Sequence, residues 1–293
     1  MIHVEARHTS DLYWGLGHAH ALDRGLQMSL MRILGYGRAS ELLDSSDETL
    51  DVDRFFRRMN WGAGLEEEKA ALSADARVAL DAYCEGAWSV LRKRFPWELR
   101  ILGLRREPWR VEDSILLTRM VAYLTLAQSQ AEVERLLVQI AQAGVSRDKL
   151  EELFPGALGG FDADLIRRVR LGDRIVPESV IWGGVAPRMM ASNNWVVSGA
   201  RSASGRPLLA NDPHLEVNRL PAVWYETVLK IGDRYAMGAT MPGIAGVLIG
   251  RTDRLAWGGT YSFMDAIDSW VEHCRDGKYR RGDDRWLPFQ RRT

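Results

Sequence analysis

Apolar positions along this chain change their period partway through. From Ser73 onward, Ala79, Ala82, Tyr83, Gly86, Ala87, Val90 and Leu91 recur at helical spacing on one face, and Pro96 ends the run. The pattern predicts a helix opening at Ser73. A second is predicted from Ser10-Asp11 through Met31, after a short alternating strand "IHVE" at residues 2–5. The stretch "REPWRVEDSILLTRMVAYLTLAQSQAEVERLLVQIAQAG" reads as one long helix closing at Gly144. Residues 173–191 carry Pro177, Gly183, Gly184 and Pro187 and read as a linker. Beyond it come short runs parted by turn signals: "NWVVSG", "RPLLAND", "AVWYETVLKIG", "YAMGATMPG", "VLIGRTDRLAWGGT" and "SWVEHC". These predict antiparallel strands. The expected class is α+β, with residues 1–172 mainly helical, a linker at 173–191, and strands over 192–293.

Composition narrows the function. Lys+Arg and Asp+Glu both number 39, so the chain has no electrostatic footprint for nucleic acid or an anionic membrane. No apolar run reaches membrane-spanning length. The start, "MIHVEARHTSDL", lacks a charged-then-apolar leader pattern, which fits either a cytoplasmic protein or a chain that begins after a lost signal. Cys84 and Cys274 form neither a disulfide framework nor a metal cluster. His18 and His20 are two apart on the first helix and point to different faces, so buried, hydrogen-bonded histidines are expected there rather than metal ligands. The 11 tryptophans suit a wide core, or else an apolar cleft.

The informative stretch is "MMASNNWVVSGARSASGRPLLANDPHL", residues 189–215, where strand pattern takes over from the linker. Asn193 and Asn194 suit a turn, and Ser192 can be read as a turn residue or as a nucleophile. A serine that became an N-terminus by cleavage after Ala191 would carry its own base. The α-amine has a pKa of about 7.7–8.0 and can take the hydroxyl proton directly or through water.

The same stretch resembles the β-chain start of the penicillin acylase family, the N-terminal nucleophile amidases. "LYWGLGHAHALDRGLQMSLMRILGYGRASEL" resembles the family's first α-chain helix, "REPWRVEDSILLTRMV" a later helix entry, and "TMPGIAGVLIGRTDRLAWGGTYSFMDAIDSWVE" the strands after the nucleophile. The likeness runs along essentially the whole chain. It implies the αββα fold of the N-terminal nucleophile hydrolases, in part. It also implies a precursor cut into α and β chains, and an extracytoplasmic, periplasmic setting. The reaction implied is hydrolysis of a small-molecule acyl amide, such as a β-lactam amide or an N-acyl homoserine lactone, through an ester on Ser192.

Carried over by resemblance, His214 falls where the acyl-homoserine lactone and cephalosporin acylase branches hold a histidine near the amine. A turn histidine after Pro213 is the plainer alternative, and a Ser192/Asp212/His214 triad a further one. Asp212 and His214 would share a strand face, although Pro213 interrupts that geometry. The backbone N–H of Tyr261, after "WGGT", is the expected oxyanion donor, while its ring can be a core aromatic. Glu132, Asp265 and Asp268 fall where penicillin acylases hold calcium between the two chains; otherwise they are surface acids. Residues 119–126 are expected to contribute to the acyl pocket. The family's second oxyanion donor, an asparagine side chain, would fall beyond Thr293. The chain by itself is therefore expected to be a poor amidase, and an inactive fragment is the rival reading. A serine hydrolase with an internal Ser192 is a third.

Overall fold

A computed structural model describes residues 1–123, 128–156, 158–160, 162–172, 176, 192–214, 220–260 and 267–290. Helices fill the chain up to Arg168 and strands follow from Ser192, with one strand, β1 (Ile2–Ala6), ahead of them all. The organisation is α+β.

The chain divides by contacts into two units, one of Met1–Leu126 with Arg174–Ser262, the other of Ala127–Asp173 with Phe263–Thr293. Each unit takes helices from the first part of the chain and strands from the second.

In the first unit, α1 (Thr9–Gly35) packs along α5 (Ala74–Leu91), with α2 (Ala39–Leu42), α3 (Asp47–Met59) and α4 (Leu65–Ala70) between them in sequence and α6 (Trp97–Ile101) after. Ser73 is the N-cap of α5, accepting from the Ala76 N–H. The two helices meet backbone to backbone where glycine permits it. A Cβ on Gly17 would stand 2.0 Å from the Tyr83 carbonyl oxygen, and one on Gly86 1.9 Å from that of Trp14. Both positions therefore need the missing side chain. Around the contact, Leu16, Met28, Phe55, Phe56, Tyr83, Leu91 and Leu116 are buried in one cluster.

A five-stranded sheet completes the unit, in the order β1, β4 (Tyr225–Ile231), β5 (Arg234–Thr240), β6 (Ile249–Thr252), β7 (Ala256–Trp257). β1 runs parallel to β4, with Ile2 opposite Thr227 and Ala6 opposite Ile231, and the other pairs are antiparallel. Tyr225, Thr227 and Leu229 alternate inward on β4. His20 ties α1 to this sheet. Its Nδ1 lies 2.7 Å from Tyr83 Oη and its Nε2 2.8 Å from Thr240 Oγ1. A separate hairpin, β2 (Ser192–Val197) with β3 (Leu208–Pro213), belongs to the same unit.

In the second unit, α8 (Gln128–Gln142), α9 (Arg147–Leu153) and α10 (Ala163–Arg168) enclose a small core of Ala141, Leu150 and Leu158. A three-stranded sheet orders β10 (Arg285–Pro288), β9 (Lys278–Arg281) and β8 (Cys274–Arg275).

Not every expectation holds. The predicted long helix is described over α7 (Val111–Ala122) and α8, and residues 124–127 between them lie outside the described residues, as does most of the 173–191 linker. "SWVEHC" is no strand before Cys274. Its two apolar residues, Trp270 and Val271, are adjacent rather than alternating, so neither face of a strand could bury both, and they are 81% and 47% exposed. The tryptophans build the core only in part. Trp109 is buried and Trp61 and Trp88 pack against the same cluster, but Trp14, Trp97, Trp195, Trp270 and Trp286 are exposed.

Candidate active site

Ser192 opens β2, and the ladder fixes its surroundings. It pairs with Pro213, Asn193 with Asp212, and Asn194 with Asn211. Paired residues share a face and neighbours alternate. Ser192, Asn194, Asn211 and Pro213 thus lie on one face of the hairpin, with Asn193 and Asp212 on the other. In this continuous chain the Ser192 nitrogen is a peptide amide, so the geometry is that of the uncleaved form.

Thr260 is one partner of Ser192. Its Oγ1 lies 2.9 Å from Ser192 Oγ and donates at 2.9 Å to the Ser192 carbonyl oxygen. A threonine hydroxyl has one proton. With that proton on the carbonyl, the Ser192 hydroxyl must donate to Thr260 Oγ1.

Asn211 holds the segment in front of Thr260. Its Nδ2 donates to Asn193 O at 2.8 Å and to Gly259 O at 2.9 Å, while its Oδ1 accepts from the Gly259 N–H at 3.2 Å. Gly258 is what lets the segment come so close, since a Cβ there would lie 2.8 Å from Asn211 Cβ.

His214 turns to Asp212, with Nε2 2.7 Å from Asp212 Oδ2. That hydrogen bond, the leading cause, holds the Asp212 carboxyl below the usual carboxylate range. Asn193 Nδ2 stands 3.4 Å from the same His214 nitrogen. An Nε2 that carries the proton for Asp212 has no lone pair left for Asn193, so the longer contact is proximity only. The acid and the histidine do meet, but Asp212 projects from the face opposite Ser192.

Tyr261, Ala191 and Asp265 lie outside the described residues, as do residues 124–126 of the expected acyl-pocket segment. In the second unit, α8 meets the segment carrying Asp268 through Gln130 and Glu134. Gln130 donates from Nε2 to Ile267 O at 2.8 Å and accepts the Ile267 N–H at 3.1 Å, and Ser269 Oγ donates to Glu134 Oε2. Glu132 sits between these two positions, about 200° round the helix from Gln130. Among the described residues no group of three or more His, Cys, Asp or Glu could hold a metal ion.

His18 is hydrogen-bonded to Ser89 Oγ at 2.8 Å, and His20 is fully buried between Tyr83 and Thr240. Burial pushes the Cys84 thiol well above its ordinary range, helped by Asp113, which keeps it protonated and inert. No helix among the described residues is long and apolar enough to cross a membrane.

The sequence singled out neither Thr260 nor Asn211 for a contact with the Ser192 segment. The adjacent glycines Gly258 and Gly259 were the available signal, since paired glycines mark close backbone approach.

Known proteins extend these observations. The chain is 31% identical over 306 residues to the acyl-homoserine lactone acylase QuiP of Pseudomonas aeruginosa, which covers 99% of this chain and 35% of that protein. It is 31% identical over 303 residues to the penicillin acylase 2 proenzyme of a Pseudomonas species, covering 98% of this chain and 38% of that one. The chain thus spans between a third and two fifths of the length of these relatives. Among solved structures, a thermostable penicillin G acylase from Alcaligenes faecalis aligns with 59% of this chain and 89% of its own, at a TM-score of 0.40 and 23% identity. The penicillin amidase family model matches residues 1–293, and the chain belongs to that family.

Proposed function

We propose that this chain carries the nucleophile of an acylase acting on carbon–nitrogen bonds other than peptide bonds. Cleavage after Ala191 frees the Ser192 amine. That amine takes the Ser192 hydroxyl proton, directly or through a water, as Oγ bonds to the substrate carbonyl carbon. The tetrahedral oxyanion is held by backbone N–H donors, with Tyr261 the candidate. The carbon–nitrogen bond then breaks, the leaving amine takes the proton, and water hydrolyses the ester on Ser192 to release the acid.

The observation that carries this reading is the pairing of Ser192. Its hydroxyl donates to the Thr260 hydroxyl, while the Asp212–His214 pair belongs to the other face of the hairpin. A base supplied by Ser192 itself fits that arrangement. The substrate class follows the relatives' names: an N-acyl homoserine lactone or a β-lactam amide. The word proenzyme in one of those names supports two chains from one precursor. A structural calcium ion at Asp265 and Asp268, joined by Glu132, and an extracytoplasmic setting belong to the same proposal and rest on the resemblance.

The 2.7 Å Asp212–His214 contact favours a second reading, an internal Ser192 served by that pair. The pH dependence separates the two. The protein from its complete reading frame is assayed against phenylacetyl, glutaryl and long-chain acyl amides, with His214→Gln alongside. An amine base predicts that kcat/KM rises with pH through about 7.7–8.0, with turnover surviving in His214→Gln. Turnover that is lost in His214→Gln means the histidine is the base.

A further inference from the structure

The nucleophile lies at the start of β2, whereas the hydroxyl it meets comes from the far end of the five-stranded sheet, just past β7. Something must fix the distance between these two pieces of chain. Ordinary ladder pairing does not, since the described sheets keep β2–β3 and β6–β7 separate.

The Asn211 side chain fills that role. It meets the Gly259 peptide group on both sides, donating to its carbonyl and accepting from its N–H, as a neighbouring strand would. Its second amide proton goes to the Asn193 carbonyl, one residue from Ser192. Turning the amide over would aim Oδ1 at two carbonyl oxygens and Nδ2 at an N–H, so the three contacts fix its orientation. Thr260, the next residue, then reaches both Ser192 Oγ and Ser192 O at 2.9 Å.

Building on the acylase reading above, we infer that Asn211 is a positioning residue which docks Gly259 beside the nucleophile strand and thereby sets the Ser192–Thr260 contact. It touches no reacting atom. Its side chain acts as a one-residue strand edge between β2 and the Gly258–Thr260 segment.

The test has one arm that needs no turnover. Amide hydrogen exchange is followed in the native protein, Asn211→Ala and Asn211→Asp, and the Gly259 N–H is compared with amides of β4 and β5. The expected result is exchange at Gly259 faster by about tenfold in Asn211→Ala, the order of one lost hydrogen bond, with the β4 and β5 amides unchanged. Unchanged protection at Gly259 would overturn the inference. In the kinetic arm, kcat should fall by roughly tenfold or more in both variants while KM stays within about twofold. Asn211→Asp is the decisive variant. It preserves shape and the acceptor for Gly259, but sets a carboxylate oxygen against two carbonyls. Native kcat in Asn211→Asp would overturn the two-donor clamp. If the native protein turns over no amide, the acylase reading fails, and the exchange arm alone decides the clamp.

Discussion

Thr260 gives its single hydroxyl proton to the carbonyl of Ser192 and receives the proton of Ser192 Oγ, each at 2.9 Å. One side chain thereby orients both the backbone and the hydroxyl of the residue proposed to attack. Thr260→Val keeps the shape and removes both bonds. At about 1 kcal/mol for each net hydrogen bond, kcat/KM should fall by roughly tenfold or more, and Thr260→Ser should restore most of it. Equal kinetics for Thr260→Val and the native protein would show that the contact orients nothing.

The α1–α5 contact makes a sharper stability prediction. Gly17→Ala and Gly86→Ala would each drive a methyl group into a backbone carbonyl of the facing helix, where no side chain can move aside. Each should cost on the order of 1–3 kcal/mol or more in urea denaturation. Gly246→Ala, with nothing within 4 Å of its new Cβ, is the control and should be near neutral. Equal midpoints for Gly17→Ala and Gly246→Ala would contradict the close approach.

His20 predicts a pH dependence. The Gly243 N–H donates to Tyr83 Oη, which leaves the Tyr83 proton for His20 Nδ1. The Thr240 hydroxyl donates to Tyr225 O, so Thr240 accepts from His20 Nε2–H. Every proton in the chain is assigned, and His20 is neutral. Burial, and secondarily Arg24, lower its pKa to about 3. A lowered folded-state value means the native state binds fewer protons than the unfolded one. The stability is therefore fully present above the unfolded value of about 6.5 and is lost as pH falls towards 3. Between pH 6.5 and 4.5 the His20 contribution should shrink by about 2–3 kcal/mol. His20→Gln, which cannot charge, should show a flatter profile in denaturant titrations at the two pH values. Parallel profiles would mean that His20 is not held neutral.

Much of this was readable in the residues themselves. Ser73 with its following apolar face marked α5, and the alternation of "IHVE" and "AVWYETVLKIG" marked β1 and β4. The runs "NWVVSG" and "RPLLAND" marked β2 and β3, but Asn193 and Asn194, which suit a turn, lie within β2, where they pair with Asp212 and Asn211. Long-range partnerships were not readable. Nothing local says that Ile2–Ala6 lies parallel to β4, because a strand's pattern states which face is buried and not which neighbour it takes. Thr260 and Asn211 escaped for the same reason, standing 68 and 19 positions along the chain from Ser192. Trp195, 67% exposed, shows the limit of composition, since a count of tryptophans says nothing about which ones are covered.

The proposed calcium site is tested by stability. A ligand that binds only the folded state stabilises it by about 2.7 kcal/mol at a hundred times its Kd. Chelator should lower the Tm of the native protein, and Asp268→Asn should remove that response. A Tm indifferent to both calcium and chelator would leave Asp265, Asp268 and Glu132 as surface acids.

The central claim is that Ser192 becomes an N-terminus and attacks from there. The direct measurement is intact mass with N-terminal sequencing of the protein from its complete reading frame, native beside Ser192→Ala. The account predicts a native β chain beginning Ser-Asn-Asn-Trp, and a Ser192→Ala protein that stays one uncut, inactive chain. Active native protein with the Ala191–Ser192 bond intact, or normal two-chain processing in Ser192→Ala, would contradict it.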